Sequence, residues 1–140
     1  MTKIYEGPRV LTIQDPFGTL IAQGKKKIET RSWNTKYRGK LLIHVAKKLW
    51  IAPDLMEEAG RENVARNLGH IIAEAELVDC IEMTPEFIHK IRTENPFEFR
   101  AGFYSVGRFA WILENVKPLD EPIPAKGHLG LWIHKRDWEV

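Results

Sequence analysis

Gly24-Lys25-Lys26-Lys27-Ile28-Glu29-Thr30-Arg31-Ser32-Trp33, then Tyr37-Arg38-Gly39-Lys40 and the apolar run Leu41-Leu42-Ile43-His44, is the stretch on which the chain is organised. Lys27 to Arg31 alternates, with Ile28 and Thr30 on one side and Lys27, Glu29 and Arg31 on the other, which is the period of a strand. Asn34 to Lys36 is a polar turn. Lys40 to Ala46 reads as a buried strand whose Leu41, Ile43 and Val45 face one way and whose Leu42, His44 and Ala46 face the other. Between Lys25 and Lys48, nine Lys/Arg stand against one acid, Glu29, whereas the whole 140-residue chain holds 21 Lys/Arg and 19 Asp/Glu. Charge is therefore segregated. A positive segment interleaved with Trp33 and Tyr37 is what a polyanion carrying flat bases requires, since Lys and Arg meet phosphates and aromatic faces stack on bases. A solvated hairpin rim would give the same count.

Upstream, Arg9 to Gln14 alternates as a first strand, and Asp15-Pro16 stops it. Asp15 can accept from the free amides of the following turn, and Pro16 suits the first helical position. Phe17, Leu20 and Ile21 then recur at helical spacing until Gly24 ends a helix over 17–23. Downstream, Pro53-Asp54 opens a second helix that breaks at Gly60 and resumes around 64–68. Ile71 to Val78 alternates, with Glu74 and Glu76 on its solvent side. Thr84-Pro85-Glu86 begins a third helix, which Asn95-Pro96 ends. Residues 93–107 have no clean period and read as a Phe-rich loop folded over a strand edge or a cleft. Phe109 to Val116 is a strand, the proline-rich 116–124 an extended edge connection, and Leu131 to Ile133 a last short strand.

Short strands interrupted by three or so short helices, with no βαβ alternation, predict an α+β fold: one domain over 1–140 built as a small mixed β-barrel decorated by helices. Forty-four per cent apolar residues at this length suffice for a core without staples. The single cysteine, Cys80, forms no internal disulfide and suits a reducing, cytoplasmic setting. No apolar run approaches the ~20 residues that span a bilayer, and the first residues lack the apolar centre of a secretory signal, so no membrane partner is expected. There is no phosphate-binding glycine loop, paired CxxC, HExxH or GxSxG, and the five histidines lack ligand spacing, so neither a metal nor a cofactor is expected. His44 stands alone in an apolar run and reads as a hydrogen-bonded wall histidine or a site residue.

What remains is Gly24-x-Lys26-x-x-Glu29-x-Arg31 with the following Ser32-Trp33 and Tyr37-Arg38-Gly39. This segment resembles the signature of the ASCH family, small barrels of the PUA-like superfamily. The resemblance extends to Thr12-Ile13-Gln14-Asp15-Pro16, Leu41-Leu42-Ile43-His44, Gly107-Arg108-Phe109-Ala110-Trp111, Glu114-Asn115 and Gly127-x-x-Gly130-Leu131-Trp132, nearly the whole chain. It implies a barrel with a cleft beneath the first helix, lined by the Lys, Glu and Arg of the motif. Family members have been proposed to bind RNA, some act as ribonucleases, and a small branch removes the acetyl group of acetylated cytidine with a threonine nucleophile, a lysine and a glutamate. The position matching that threonine holds Glu29 here, and Thr30 points to the other side of the strand, so that mechanism is not carried over.

The residues themselves allow several roles. Glu29 can accept from a base's amino group or pair with Arg31 along one strand face. Lys26 can meet a phosphate or, partly desolvated, serve acid–base chemistry. Gly24 permits a tight turn and close approach of a ligand to backbone. Candidate ligand-binding residues are thus Gly24, Lys26, Glu29, Arg31, Ser32, Trp33, Tyr37, Arg38 and His44, with Lys26 and Glu29 catalytic if the protein is an enzyme. The leading expectation is a domain that binds RNA or a modified nucleoside or nucleotide. The alternatives are a metal-independent ribonuclease or nucleoside-modification amidohydrolase, and an interaction domain without a nucleotide ligand. If Glu29 and Arg31 form an exposed pair, they contribute little to stability.

Overall fold

The structure is a computed structural model that describes residues 8–134; the outer ends of the expected 1–140 domain, and the N-terminal residues read above, lie outside the described residues. Six strands form one mixed sheet: β1 (Arg9–Asp15), β2 (Ile28–Arg31), β3 (Gly39–Leu49), β4 (His70–Glu82), β5 (Phe109–Pro124) and β6 (Leu131–Ile133). Their order is β2-β5-β4-β3-β1-β6, with β1 and β3 parallel and the other pairs antiparallel. Every strand expected from the alternation is present, and β3, β4 and β5 run longer than the pattern alone defines. The register shifts three times along the β4–β5 pair and once in β3–β4, and such bulges curve a sheet.

The sheet is barrel-like without closing by backbone ladder between β2 and β6. A side chain spans part of that gap. Arg31, on the terminal strand β2, donates from Nη2 to the Thr12 carbonyl of β1 at 2.6 Å. Trp111 of β5 is fully buried inside and donates its indole N–H to the Trp33 carbonyl at 3.3 Å.

Five short helices decorate the described residues rather than three: α1 (Phe17–Ala22), α2 (Pro53–Ala59), α3 (Arg61–Asn67), α4 (Pro85–Glu94) and α5 (Pro96–Arg100). The Gly60 break accounts for α2 and α3. Pro16 is not the first helical residue; it occupies the cap position after a cis peptide bond. Asp15 nevertheless caps the helix, accepting from the Thr19 amide at 2.7 Å and the Thr19 hydroxyl at 2.5 Å. Such a cap contributes about 1 kcal/mol. Phe17, Leu20 and Ile21 join Leu11, Ile13, Leu41, Ile43, Val45 and Trp111 in the main core, so α1 lies across the mouth of the sheet. Gly24, at φ +77°, then turns the chain from α1 into β2, a backbone conformation that side chains rarely tolerate.

Two expectations are corrected downstream. Residues 116–124 are not a separate connection but the second half of β5, where Ala73 faces Pro118 and Ile71 faces Ile123. Among the described residues only β4 pairs with this half, so its prolines sit on an edge that needs no N–H. Within 93–107, Asn95-Pro96 does end α4, and it also begins α5. The Asn95 side chain accepts from the Glu98 amide at 3.1 Å with Pro96 in the first turn.

Candidate functional site

Lys26 is the centre of the site because the turn after α1 forces it inward. Its amide and that of Lys25 both donate to the Leu20 carbonyl, which closes the helix and leaves the Lys26 side chain pointing under α1. It is 1% exposed, the largest fully buried side chain after Trp111 among the described residues. An ammonium there needs partners, and the fold supplies them. Nζ donates to the Ile28 and Ala101 carbonyls, each at 2.5 Å, lies 5.6 Å from the Phe17 ring centroid, and has Glu98 at 3.9 Å and Glu29 at 4.0 Å. Burial pushes the lysine below its ordinary value, and Glu29 and Glu98 oppose that shift.

Glu29 and Arg31 share a strand face, as the alternation predicts. Arg31 Nε lies 3.0 Å from Glu29 Oε2, an ion pair without hydrogen-bond alignment, while its Nη2 holds the Thr12 carbonyl. Glu29 is buried at 7% exposure, so the pair is not the exposed one considered from sequence. Taking such charges out of water costs several kcal/mol per ion before their attraction compensates. Glu98, from α5, is the partner that sequence reasoning missed. Its carboxylate, 2% exposed, accepts from the Lys27 amide at 2.7 Å and the Ile28 amide at 3.1 Å, pinning the start of β2. The Asn95-Pro96 helix start was the signal that could have placed it.

Above this cluster is a cavity of about 290 Å³ between β1, β2, α1 and the 101–108 loop. Lys26, Glu29, Arg31, Ser32 and Trp33 line it together with Gln14, Phe17, Phe103 and Arg108. Small-molecule sites usually hold about 300–1,000 Å³, so the space fits one heterocycle rather than a large ligand. The loop that roofs it is fastened to β2: Phe103 N–H donates to the Thr30 hydroxyl at 3.0 Å, and Arg108 Nε donates to the Phe103 carbonyl at 2.8 Å. Thr30 holds the roof through its hydroxyl and also lines the cavity, so it does not point away from the Glu29 side as expected from the alternation. A methyl on Gly102 would come within 2.9 Å of the Tyr104 ring and 3.1 Å of Thr30 Cγ2, so the loop's approach depends on that glycine.

Four sequence candidates stand elsewhere. Gly24 forms the turn and does not line the cavity. Tyr37 donates its hydroxyl to the Lys40 carbonyl, and Arg38 pairs with Asp79 at 3.4 Å on the surface. His44 faces the opposite side of the sheet, lining a separate hollow of about 1260 Å³ with His70 and His128. Its Nε2 contacts the Ala125 carbonyl at 2.7 Å, and burial pushes its pKa down. Trp33, though at the cavity, packs edge-to-face on Trp111 with centroids 4.7 Å apart.

The basic excess is also largely answered in space. Among the described residues, five of the nine cations meet carboxylates: Lys25 with Glu58, Lys26 with Glu29 and Glu98, Arg31 with Glu29, Arg38 with Asp79, and Lys40 with Glu74. Lys27, Lys36, Lys47 and Lys48 remain as exposed cations with no carboxylate within 4 Å among the described residues. No group of His, Cys, Asp and Glu among the described residues has the arrangement of a metal site.

The chain is similar to known proteins along most of its length. The crystal structure of an ASCH protein from Zymomonas mobilis superposes with a TM-score of 0.61 at 14% identity, covering 94% of this chain and 90% of that one. A tyrosine-to-phenylalanine variant of that protein superposes at 0.60 over 94% and 93%. At that identity the likeness concerns the fold. Activating signal cointegrator 1 of Homo sapiens and that of Mus musculus are each 22% identical over 91% of this chain, which spans 22% of their length. The family model for the ASCH domain matches residues 11–123. With most of the mixed sheet, the capped helix and the enclosed Lys26 inside that span, the chain belongs to the ASCH domain family.

Proposed function

We propose that this single-domain chain binds RNA and takes one nucleotide, ordinary or modified, into the cleft at Lys26, Glu29 and Arg31. The observation that carries the reading is a cavity sized for one heterocycle, walled by one carboxylate held between two fixed cations. A carboxylate accepts from an exocyclic amino group, while an ammonium and a guanidinium donate to ring or carbonyl acceptors or to a phosphate. Enclosure strengthens each of these bonds because water competes less. A buried ion cluster is a poor device for stability alone, which favours a ligand as the reason for its cost. Family membership supports the same reading, and no helix among the described residues is long and apolar enough to cross a membrane.

The test is a thermal-shift panel of nucleosides, modified nucleosides, mononucleotides and short single-stranded RNAs at low salt. A ligand at 100 times its dissociation constant stabilises the fold by about 2.7 kcal/mol. A hit that disappears in Glu29→Gln supports the reading; a panel without any stabilising ligand contradicts it.

A second reading, hydrolysis of RNA or of a modified nucleoside, is favoured by one feature. Burial depresses the Lys26 pKa with Glu29 4.0 Å away, and a lysine so adjusted exchanges its proton nearer neutral pH. Short products from RNA, or a released acyl group from a modified nucleoside, formed in the presence of chelator and lost in Glu29→Gln, would establish it.

A further inference from the structure

We infer that the site is built for a single-stranded oligonucleotide rather than a free nucleoside, because an aromatic ridge leads out of the cleft and offers a stacking surface to the nucleotide next to the bound one. This deepens the proposal above and rests on its cleft. The ridge begins at Phe17, inside the cavity, whose ring meets Phe103 edge-to-face with centroids 5.9 Å apart. Phe103 also lines the cavity and meets Trp50 at 5.0 Å, with planes 80° apart. Phe103 is 44% exposed and Trp50 43%, so two large rings stand at the mouth with much of their surface in water.

Neither position is accidental slack in the fold. Trp50 N–H donates to the Asp15 carbonyl at 2.8 Å, which fixes the end of β3 beside the cap of α1. Phe103 is held by Thr30 and Arg108 as described. Exposed aromatic rings at fixed positions offer little to folding and much to a partner with flat faces. The charge next to them selects the partner: Lys48, two residues before Trp50, is exposed and without a carboxylate within 4 Å among the described residues, while Lys47 lines the hollow on the other side of the sheet. A nucleotide strand supplies both a base for the ring and a phosphate for the amine. Trp33 and Tyr37, the rings that composition put forward for stacking, are partly buried against the main core, Trp33 edge-to-face on Trp111 and Tyr37 with its hydroxyl tied to the Lys40 carbonyl.

The experiment compares a fluorescent five-nucleotide single-stranded RNA of mixed sequence with mononucleotides as ligands, for the full chain and for Trp50→Ala, Trp50→Phe and Glu29→Gln. Stacking of one base on an exposed ring predicts that Trp50→Ala weakens the oligonucleotide roughly 5- to 150-fold. Mononucleotide affinity should not change, and Trp50→Phe should retain most of the oligonucleotide affinity. Loss of both ligands in Glu29→Gln would then support cleft and ridge together. If Trp50→Ala leaves the oligonucleotide unchanged while Glu29→Gln weakens it, the cleft stands and the ridge is overturned. If the oligonucleotide responds to Trp50→Ala but not to Glu29→Gln, the ridge binds nucleic acid without the cleft, and the inference as stated is overturned. Self-association that Trp50→Ala abolishes, seen by sedimentation in the absence of RNA, would assign the ridge to a second copy and overturn it as well, as would failure of the wild-type chain to bind the oligonucleotide at low salt.

Discussion

Residues 24–33 and 34–48 are two halves of one basic stretch, and the fold treats them differently. In the first half the chain turns at Gly24, drives Lys26 beneath α1 and encloses Glu29 with two cations. In the second half Lys36, Arg38 and Lys40 stay at the surface, Arg38 paired with the exposed Asp79 and Lys40 with the half-buried Glu74. Lys26 and Glu29 in the first half act in a low dielectric, where each partner matters; the exposed Lys25 and Lys27 beside them, and the charges of the second half, are screened by water and salt. Counting nine cations in sequence describes both halves alike. Position relative to the turn and to α5 separates them.

The largest way to break that contrast is Lys26→Met. The variant leaves Glu98 buried without its cation, Glu29 with Arg31 alone and two carbonyls without the lysine donor, so unfolding free energy should fall by about 3–5 kcal/mol in urea titrations. Its pH dependence sharpens the point. The folded value of Lys26 lies below the 10.5 of a free lysine, so between the two the unfolded chain binds more protons and stability rises with pH. The wild-type chain should show that rise and Lys26→Met should lack it, so their difference grows toward alkaline pH. A loss under 1 kcal/mol with parallel pH profiles would mean that Lys26 is not enclosed.

Gly102→Ala comes next. Its methyl meets the Tyr104 ring and Thr30, and overpacking of this kind costs about 1–3 kcal/mol. Since the same loop carries Phe103, oligonucleotide binding should weaken as well, measured by anisotropy alongside a denaturation curve. Unchanged values in both would detach the loop from the site. The smallest effect belongs to the second half: Arg38→Gln removes a pair whose partners are 40% and 56% exposed, and stability should stay within about 0.5 kcal/mol. A cost comparable to that of Lys26→Met would abolish the distinction between the halves.

How far the sequence carried follows the same physical line. Alternation located β1, β4 and the first half of β5, the continuous apolar run located β3, whose residues 41–45 are buried on both faces, and Asp15 announced α1 through its capping oxygen. The Glu29–Arg31 face was legible from period two. The depth of Lys26 was not, since nothing local says that Leu20 accepts both following amides or that Ala101, 75 residues on, supplies a carbonyl. Glu98 and the exposed Trp50–Phe103 pair were hidden for the same reason: they join segments distant in sequence, and residues 93–107 carry no period to place them. His44 shows the converse limit, a polar residue in an apolar run whose hydrogen bond to Ala125 gives it a wall position on the other side of the sheet.

The central claim is that the enclosed trio, rather than the surface cations, reads the nucleotide. It is tested most directly by measuring the affinity of a short single-stranded RNA across a salt series for wild type, Glu29→Gln and the Lys36→Gln/Arg38→Gln double variant, under conditions where all three are folded. Loss of a charge-assisted hydrogen bond predicts that Glu29→Gln binds about 10- to 100-fold more weakly at every salt concentration. The double variant should lose at most ~1.4 from the salt slope and keep most of its affinity at high salt. Equal binding by Glu29→Gln and wild type, with affinity lost in the double variant, would contradict the account and move recognition to the surface.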